Sequence, residues 1–412
     1  MPQPKTLLLL LLTHLTTTTA ISPPSLHPRQ SPPEKGLHDL FLAAGKSYFG
    51  TATETTNLPD PLYQSILSSG EFGQITPENS QKWESLQPTS STFTFAAADQ
   101  IVSLATQNNQ ILRCHTLVWH SQLPSFVKTT AWTPSSLTAL LKSHISNVMG
   151  HYKGKCTHWD VVNEALNEDG SFRPSIFLEV LGPGYIPLSF QFAAQADPEA
   201  KLYYNDFNLE ISPPKAAGAV KIVKLVQDAK QKIDGVGFQG HLTVGQLPPL
   251  ANLTATLRQY TELGVEVAFT ELDIAHPTLP STEQGREQQG VDYVTVTKAC
   301  LAVEKCVGIT VWQFTDRYSW VEGTFPGTGE ACLFTRDYER KSAYFALKKF
   351  LEGVVGRNGT AGNGTAGKGG SLNLTAAGVV PVRSEGERVG AFGLGSMVLV
   401  VFSAFWMVME AL

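Results

Sequence analysis

Two glutamates stand where apolar β-runs end, and that placement asks for a chemical explanation. In "CTHWDVVNEAL" (Cys156 to Leu166), Trp159, Val161 and Val162 supply the apolar, β-branched bulk of a buried strand, which then delivers Asn163 and Glu164. In "VEVAFTELDI" the run through Val265, Val267, Ala268 and Phe269 ends on Glu271. One such glutamate could cap a helix or join a salt bridge. Two of them, each at the exit of a strand, form a pair suited to proton transfer and nucleophilic attack. No Cys/His cluster has zinc spacing, so neither a metal nor a cofactor is expected.

The elements that must position this pair alternate. Eight β-runs lie between Leu37 and Glu352: "KSYFGTA", "FGQIT", "ILRCHTLVWH", "THWDVVNE", "KLYYNDFN", "GVGFQGH", "VEVAFTELDI" and "VGITVWQF". Helical stretches such as "PKAAGAVKIVKLVQDAKQK" and "TATLRQYTELG" fall between them. Alternating β and α implies a parallel sheet. Eight repeats fit an α/β fold of the (β/α)8 kind, a TIM barrel forming a single catalytic domain over 37–352. An open doubly wound sheet is the alternative, but no Gly-rich phosphate loop follows any strand.

In a barrel of this kind functional groups gather at the C-terminal ends of the strands. Glu164 would end the fourth strand and Glu271 the seventh, both on one rim. Glu78-Asn79, Trp119-His120, Asn205-Asp206, Gln239, His241 and Trp312 would open onto the same rim. A lone His or Trp at such a position is ordinarily packing. Polar and aromatic groups exported by so many strands to one face are not explained by packing.

The 412-residue chain carries a net charge of −5 and no basic block, so nucleic acid is not an expected partner. Its ends are unusual. Lys5 precedes "TLLLLLLTHL", too short to span a bilayer, and small residues follow as far as Ala20, the pattern of a secretory signal peptide over 1–20. Residues 21–36 are a Pro-rich leader, and 353–378 are rich in Gly, Ala, Asn and Thr, which suit a flexible stalk. The stalk holds sequons at Asn358, Asn363 and Asn373, and another lies at Asn252. The small triplet Ala376, Ala377, Gly378, a spacer, and the apolar run from Val389 to Leu412 match the signal for a GPI anchor over 379–412. That would place the protein at the cell surface, on the plasma membrane or cell wall. A retained transmembrane helix is the alternative, although no cation follows the tail.

Of five cysteines, Cys300 and Cys306 could close a small loop before the last strand. Cys114 and Cys156 each open a β-run and would pair if those strands are neighbours, leaving Cys332 free.

Two carboxylates on one rim, without metal ligands or a nucleophilic Ser or Cys motif, suit glycoside hydrolysis. One must be protonated to expel the leaving group and the other ionised. Aromatic rings would stack on sugar faces, while amides, His and Lys would bind hydroxyls.

The segments "TPENSQKW", "HTLVWHSQLPSF", "WDVVNEALNEDG", "LYYNDFN", "GVGFQGHL", "TELDI" and "CLAVEKCVGITVWQFTDRYSW" resemble, in order, the signatures of glycoside hydrolase family 10 endo-β-1,4-xylanases. The resemblance implies xylan and xylo-oligosaccharides as substrates and a single chain acting as a monomer. It implies Glu164 as acid/base, Glu271 as nucleophile, Asn163 on the sugar 2-hydroxyl and His241 bonded to Glu271. Glu78, Asn79, Lys82, His120 and Gln122 would bind the non-reducing side. Trp312 and Trp320 would form its aromatic floor and rim. Asn205 would also bind substrate, and Gln239 would support the acid/base. Cys300 and Cys306 match a family disulfide. A retaining family implies carboxyls about 5–5.5 Å apart.

Four departures stand out. Gln81 replaces a Met, a packing change. Phe207 replaces the Tyr of "NDYN", removing a hydroxyl from the leaving-group side. "WQF" (Trp312 to Phe314) stands for the commoner "WGV", and "LFTRDYERKSAY" lacks the usual Asp and Pro. The rivals are another retaining barrel glycanase, cellulase-like, and a non-catalytic wall-anchored carbohydrate-binding protein.

Overall fold

The computed structural model describes residues 34–361. Its strands are β1 (Tyr48–Thr53), β2 (Gln74–Pro77), β3 (Ile111–Trp119), β4 (Cys156–Asn163), β5 (Lys201–Asp206), β6 (Gly235–Phe238), β7 (His241–Thr243), β8 (Glu266–Ala275) and β9 (Cys306–Val311). All pairings between them are parallel. Strands β1 to β6 pair in sequence, β6 pairs β8, β8 pairs β9, and β9 returns to β1 with Tyr48 opposite Gly308. The sheet therefore closes into an eight-stranded barrel, with β7 as a short addition beside the outer half of β8. The (β/α)8 expectation holds.

Helices fill each crossover, for example Pro134–His151 between β3 and β4 and Pro213–Asp228 between β5 and β6. Their starts are legible in the sequence. Thr133 accepts from the Ser136 N–H ahead of Pro134, and Ser212 accepts from the Lys215 N–H ahead of Pro213, so each hydroxyl caps an orphan donor while the proline presets φ. Between barrel and helices, Trp159, Val161 and Val162 of β4 are completely buried.

Cys114 of β3 and Cys156 of β4 form a disulfide with Cα atoms 5.8 Å apart, because β3 and β4 are neighbours in the barrel. Cys300 and Cys306 form a second, with Cα atoms 5.2 Å apart. Cys332 is the free, buried cysteine among the described residues.

Two boundaries differ from expectation. The seventh barrel strand continues past Glu271 to Ala275, because β7 supplies it with a new partner in register His241↔Asp273. Glu271 is thus inside a strand and not at its exit. The stretch from residue 353, expected as the start of a stalk, is helical instead as far as it is described, since the last helix runs Ser342–Ala361 and includes Asn358. Val355 packs against the core, and that tertiary contact outweighs the poor helix propensity of Gly353 and Gly356. Asn252 is exposed in the first turn of the helix Leu250–Thr261. The stretch expected as a signal peptide, nearly all of the expected leader, Asn363, Asn373, Ala376, Ala377, Gly378 and the apolar run from Val389 lie outside the described residues.

Candidate active site

Strand ends and the loops that follow them build a cleft of about 220 Å³, lined by both Glu164 and Glu271. Glu164 is the residue after β4 and adopts a left-handed backbone, φ 55°. Its N–H donates to the Asn205 carbonyl at 2.9 Å. The residue is 7% exposed and lines the cleft. Oε2 accepts from Trp119 Nε1 at 2.8 Å, and Oε1 accepts from Gln239 Nε2 at 2.9 Å and Asn163 Nδ2 at 3.3 Å.

Glu271, 5% exposed, accepts at Oε1 from Asn205 Nδ2 at 2.8 Å, and its Oε2 lies 3.3 Å from His241 Nε2. One amide network joins the two carboxylates: Asn205 Nδ2 also donates to Asn163 Oδ1 at 2.9 Å, and Gln239 Nε2 reaches the same Oδ1 at 3.3 Å. Thr270 Oγ1 donates to Asn205 Oδ1 at 2.6 Å, which fixes the direction in which the amide points. The arrangement needs a glycine at 237, since a Cβ there would fall 2.1 Å from Asn205 Oδ1.

The charges around this network are set by burial and by partners. Burial opposes ionisation of Glu164. The charge of His120, the Gln239 amide, the Arg173 guanidinium and the Trp119 indole outweigh it and hold the carboxyl below its usual range. Burial pushes His120 itself down to about 4, against the pull of Glu164. Above that pH the imidazole is neutral and its share of the hold on Glu164 is gone. His241 behaves oppositely. Burial disfavours its charge, but Asp273 at 3.0 Å and Glu271 together raise it to about 10. Trp320 Nε1 donates to the same Asp273 oxygen at 2.8 Å, so the aromatic rim and the charged pair are tied together.

Glu78, Asn79, Lys82, Gln122, Trp312 and Trp320 line the cleft. Lys82 Nζ donates to Asn79 Oδ1 at 2.9 Å and Gln122 Oε1 at 2.6 Å, and stands 5.0 Å from the centre of the Trp119 ring. Burial raises the Glu78 carboxyl and lowers the Lys82 ammonium, each opposed by the other's charge. Asn163, Gln239 and His241 also line the cleft.

Three expected contact residues are placed differently. Asn205 is wholly buried and acts through Asn163 and Glu271. His120 turns away behind Glu164, its Nε2 3.3 Å from Arg173 Nη1, in a niche too tight for a sugar. Phe207, expected on the leaving-group side, is 1% exposed in a small apolar cluster with Ala275, Val321, Phe325 and Ala331. Lys215 Nζ sits 3.2 Å from its ring centre, so the ring serves a buried cation and offers no face to the cleft.

Other residues enter the site unannounced. His115 lines the cleft, bonds Asp160 Oδ2 through Nδ1 at 3.0 Å and lies 4.0 Å from Glu271 Oε1. Arg113 holds that same Asp160 from below. The signal was available: Arg113 and His115 sit two apart in an apolar strand, hence on one face. Gln81 is more than a packing change, because its buried Oε1 accepts the His115 N–H at 3.3 Å.

Comparison with known proteins places this geometry in a family. The model for glycosyl hydrolase family 10 matches residues 36–350. Endo-1,4-beta-xylanase 5 of Pyricularia oryzae is 53% identical over 318 residues, covering 77% of this chain and 78% of that protein. Endo-1,4-beta-xylanase D of Talaromyces funiculosus is 51% identical over 320 residues, 78% of each chain. Among solved structures, Penicillium canescens endo-1,4-beta-xylanase XylE superposes with a TM-score of 0.75 at 38% identity, covering 78% of this chain and 98% of that one. Xylanase 10B from Thermotoga petrophila in complex with xylobiose superposes with a TM-score of 0.76 at 33% identity, covering 79% and 100%. Matched from before its first strand to its last helix, this chain belongs to glycosyl hydrolase family 10.

Proposed function

We infer that this chain is an endo-1,4-β-xylanase that hydrolyses internal bonds of xylan with retention of configuration. The observation that carries the reading is the pair Glu164 and Glu271 in one cleft, tied through the amides of Asn163, Asn205 and Gln239, in a chain of this family.

Glu164, held below its usual range in the free enzyme, must take up a proton as bound sugar excludes water and raises the cost of its charge. It gives that proton to the departing glycosidic oxygen while Glu271 attacks the anomeric carbon, and the bond from carbon to leaving oxygen breaks as the glycosyl–enzyme ester forms. Glu164, now ionised, takes a proton from water, whose oxygen attacks the same carbon and releases Glu271. Asn205 and His241 orient the attacking carboxylate, Gln239 and Trp119 orient the acid, and Asn163 lies between them to meet the sugar 2-hydroxyl. Glu78, Asn79, Lys82, Gln122, Trp312 and Trp320 hold the sugars on the non-reducing side.

The test is product analysis on xylan, cellulose and mannan side by side. Xylo-oligosaccharides from xylan, with little release from the other two, is the expected result; comparable cleavage of cellulose would overturn the xylan assignment.

The terminal segments support a further part of the reading: secretion through a signal peptide, glycans on the sequons after the barrel, and a lipid anchor near Ala376 to Gly378 that holds the enzyme at the cell surface.

A further inference from the structure

Gln313 immediately follows the cleft residue Trp312. Its φ is +70°, in the left-handed region where side chains other than glycine are disfavoured. The side chain is completely buried. Backbone strain of this kind persists only where surrounding contacts over-determine it, and the contacts of Gln313 point in one direction. Nε2 donates to Glu78 Oε2 at 2.7 Å, and Oε1 accepts from the Tyr63 hydroxyl at 2.9 Å. Tyr63 has one proton, and Thr53 Oγ1 also lies within reach at 2.8 Å. The Glu78 carboxylate requires Nε2, which leaves Oε1 for the Tyr63 proton, and the Thr53 hydroxyl then donates to Tyr63. Thr53, Tyr63, Gln313 and Glu78 thus form one directed chain from the end of β1 into the cleft. Phe314 completes it by stacking on the Tyr63 ring, centroids 4.6 Å apart.

We propose that Gln313 is a positioning residue that sets substrate binding on the non-reducing side, by locking one oxygen of Glu78 and leaving the other turned to a sugar hydroxyl. The proposal rests on the xylanase reading and goes beyond it. The residues "WQF" act as a unit: Trp312 faces the sugar, Gln313 aims Glu78, and Phe314 braces the tyrosine that aims Gln313.

The experiment compares 4-nitrophenyl β-xyloside, with one sugar on the non-reducing side, and 4-nitrophenyl β-xylobioside, with two. Gln313→Gly and Gln313→Asn both tolerate the left-handed backbone and are too short to bridge. Each should raise KM for the xylobioside by about tenfold, as expected for losing a hydrogen bond to a charged group. That rise should exceed the rise for the xyloside at least about fivefold, with kcat on the xylobioside changing much less than KM. A second readout is the pH profile. Lys82, Glu54 and Glu271 are the charged groups facing Glu78 and stay in place. Loss of the Gln313 donor alone should move the acidic limb of kcat/KM for the xylobioside to higher pH. Tyr63→Phe, which leaves the cleft lining intact, should reproduce the same split more weakly and covers the case in which the Gln313 variants fail to fold. Equal KM changes on both substrates, or a loss confined to kcat, would overturn the proposal. Wild-type protein inactive on xylan would overturn the functional reading instead.

Discussion

Asn205 and Glu271 are joined by a hydrogen bond of 2.8 Å from amide to carboxylate, and the same amide nitrogen lies 2.9 Å from Asn163 Oδ1. The residue that aims the proposed nucleophile therefore also touches the residue beside the proposed acid. Gly237 leaves the space in which that amide sits. Gly237→Ala should push Asn205 off Glu271 and lower kcat by about 10²-fold, the cost of misplacing a reacting group by about an ångström. Kinetics together with a crystal structure of the variant check this; unchanged kcat with a displaced Asn205 would refute the role.

Glu271→Gln should abolish cleavage of every substrate, because no nucleophile remains. Glu164→Ala should slow natural xylan by about 10²- to 10⁴-fold, yet spare the first step on aryl glycosides whose leaving groups need no proton. Equal losses by both variants on both substrates would reverse or dissolve the assignment of roles.

Early products from xylan should carry the β-configuration, since two inversions at one carbon restore it. Proton NMR during the first minutes of reaction reads this directly. An initial α-anomer would require a water-mediated single displacement.

His241 and His120 should titrate at opposite ends of the pH range. Asp273 and Glu271 raise His241 from its ordinary 6.5 to about 10, so its ring should remain protonated at pH 8, while burial keeps His120 neutral from pH 5 upward. Imidazole NMR signals check both. Because folded His241 binds its proton more tightly than the unfolded chain does, its stabilising contribution is full below pH 6.5 and fades as pH rises toward 10. The difference in unfolding free energy between wild type and His241→Gln should shrink over that window; a constant difference would mean that the imidazolium charge is not what His241 contributes.

Phosphatidylinositol-specific phospholipase should release active enzyme from membranes, and deletion of Val389 to Leu412 should send it into the medium. Mass spectrometry of the mature protein gives the decisive observation. A peptide from Val398 to Leu412 in phospholipase-resistant protein would identify a retained transmembrane span.

The barrel and its two glutamates were legible in the sequence because their signals are local. β-branched runs, Ser-Pro and Thr-Pro helix starts, and polar residues at strand ends all act within a few neighbours along the chain, and the spacing of eight such units leaves few topologies. What only the tertiary structure decided depends on residues distant in sequence. Gln313 meets Glu78 across the barrel closure from β9 to β1, Cys114 reaches Cys156 because β3 and β4 are adjacent, and β7 lengthens β8 so that Glu271 lies inside a strand. Phe207 carries the same aromatic ring in any context, but Lys215 and the cluster around Val321 bury it away from the cleft. His115 is one polar residue within an apolar run along the chain, and only the closed barrel brings it to Glu271. Residue type and periodicity specify which elements form; which side chains share a proton, a charge or a cavity is set by how those elements close on one another, since hydrogen bonds and desolvation act over distances in space and not along the chain.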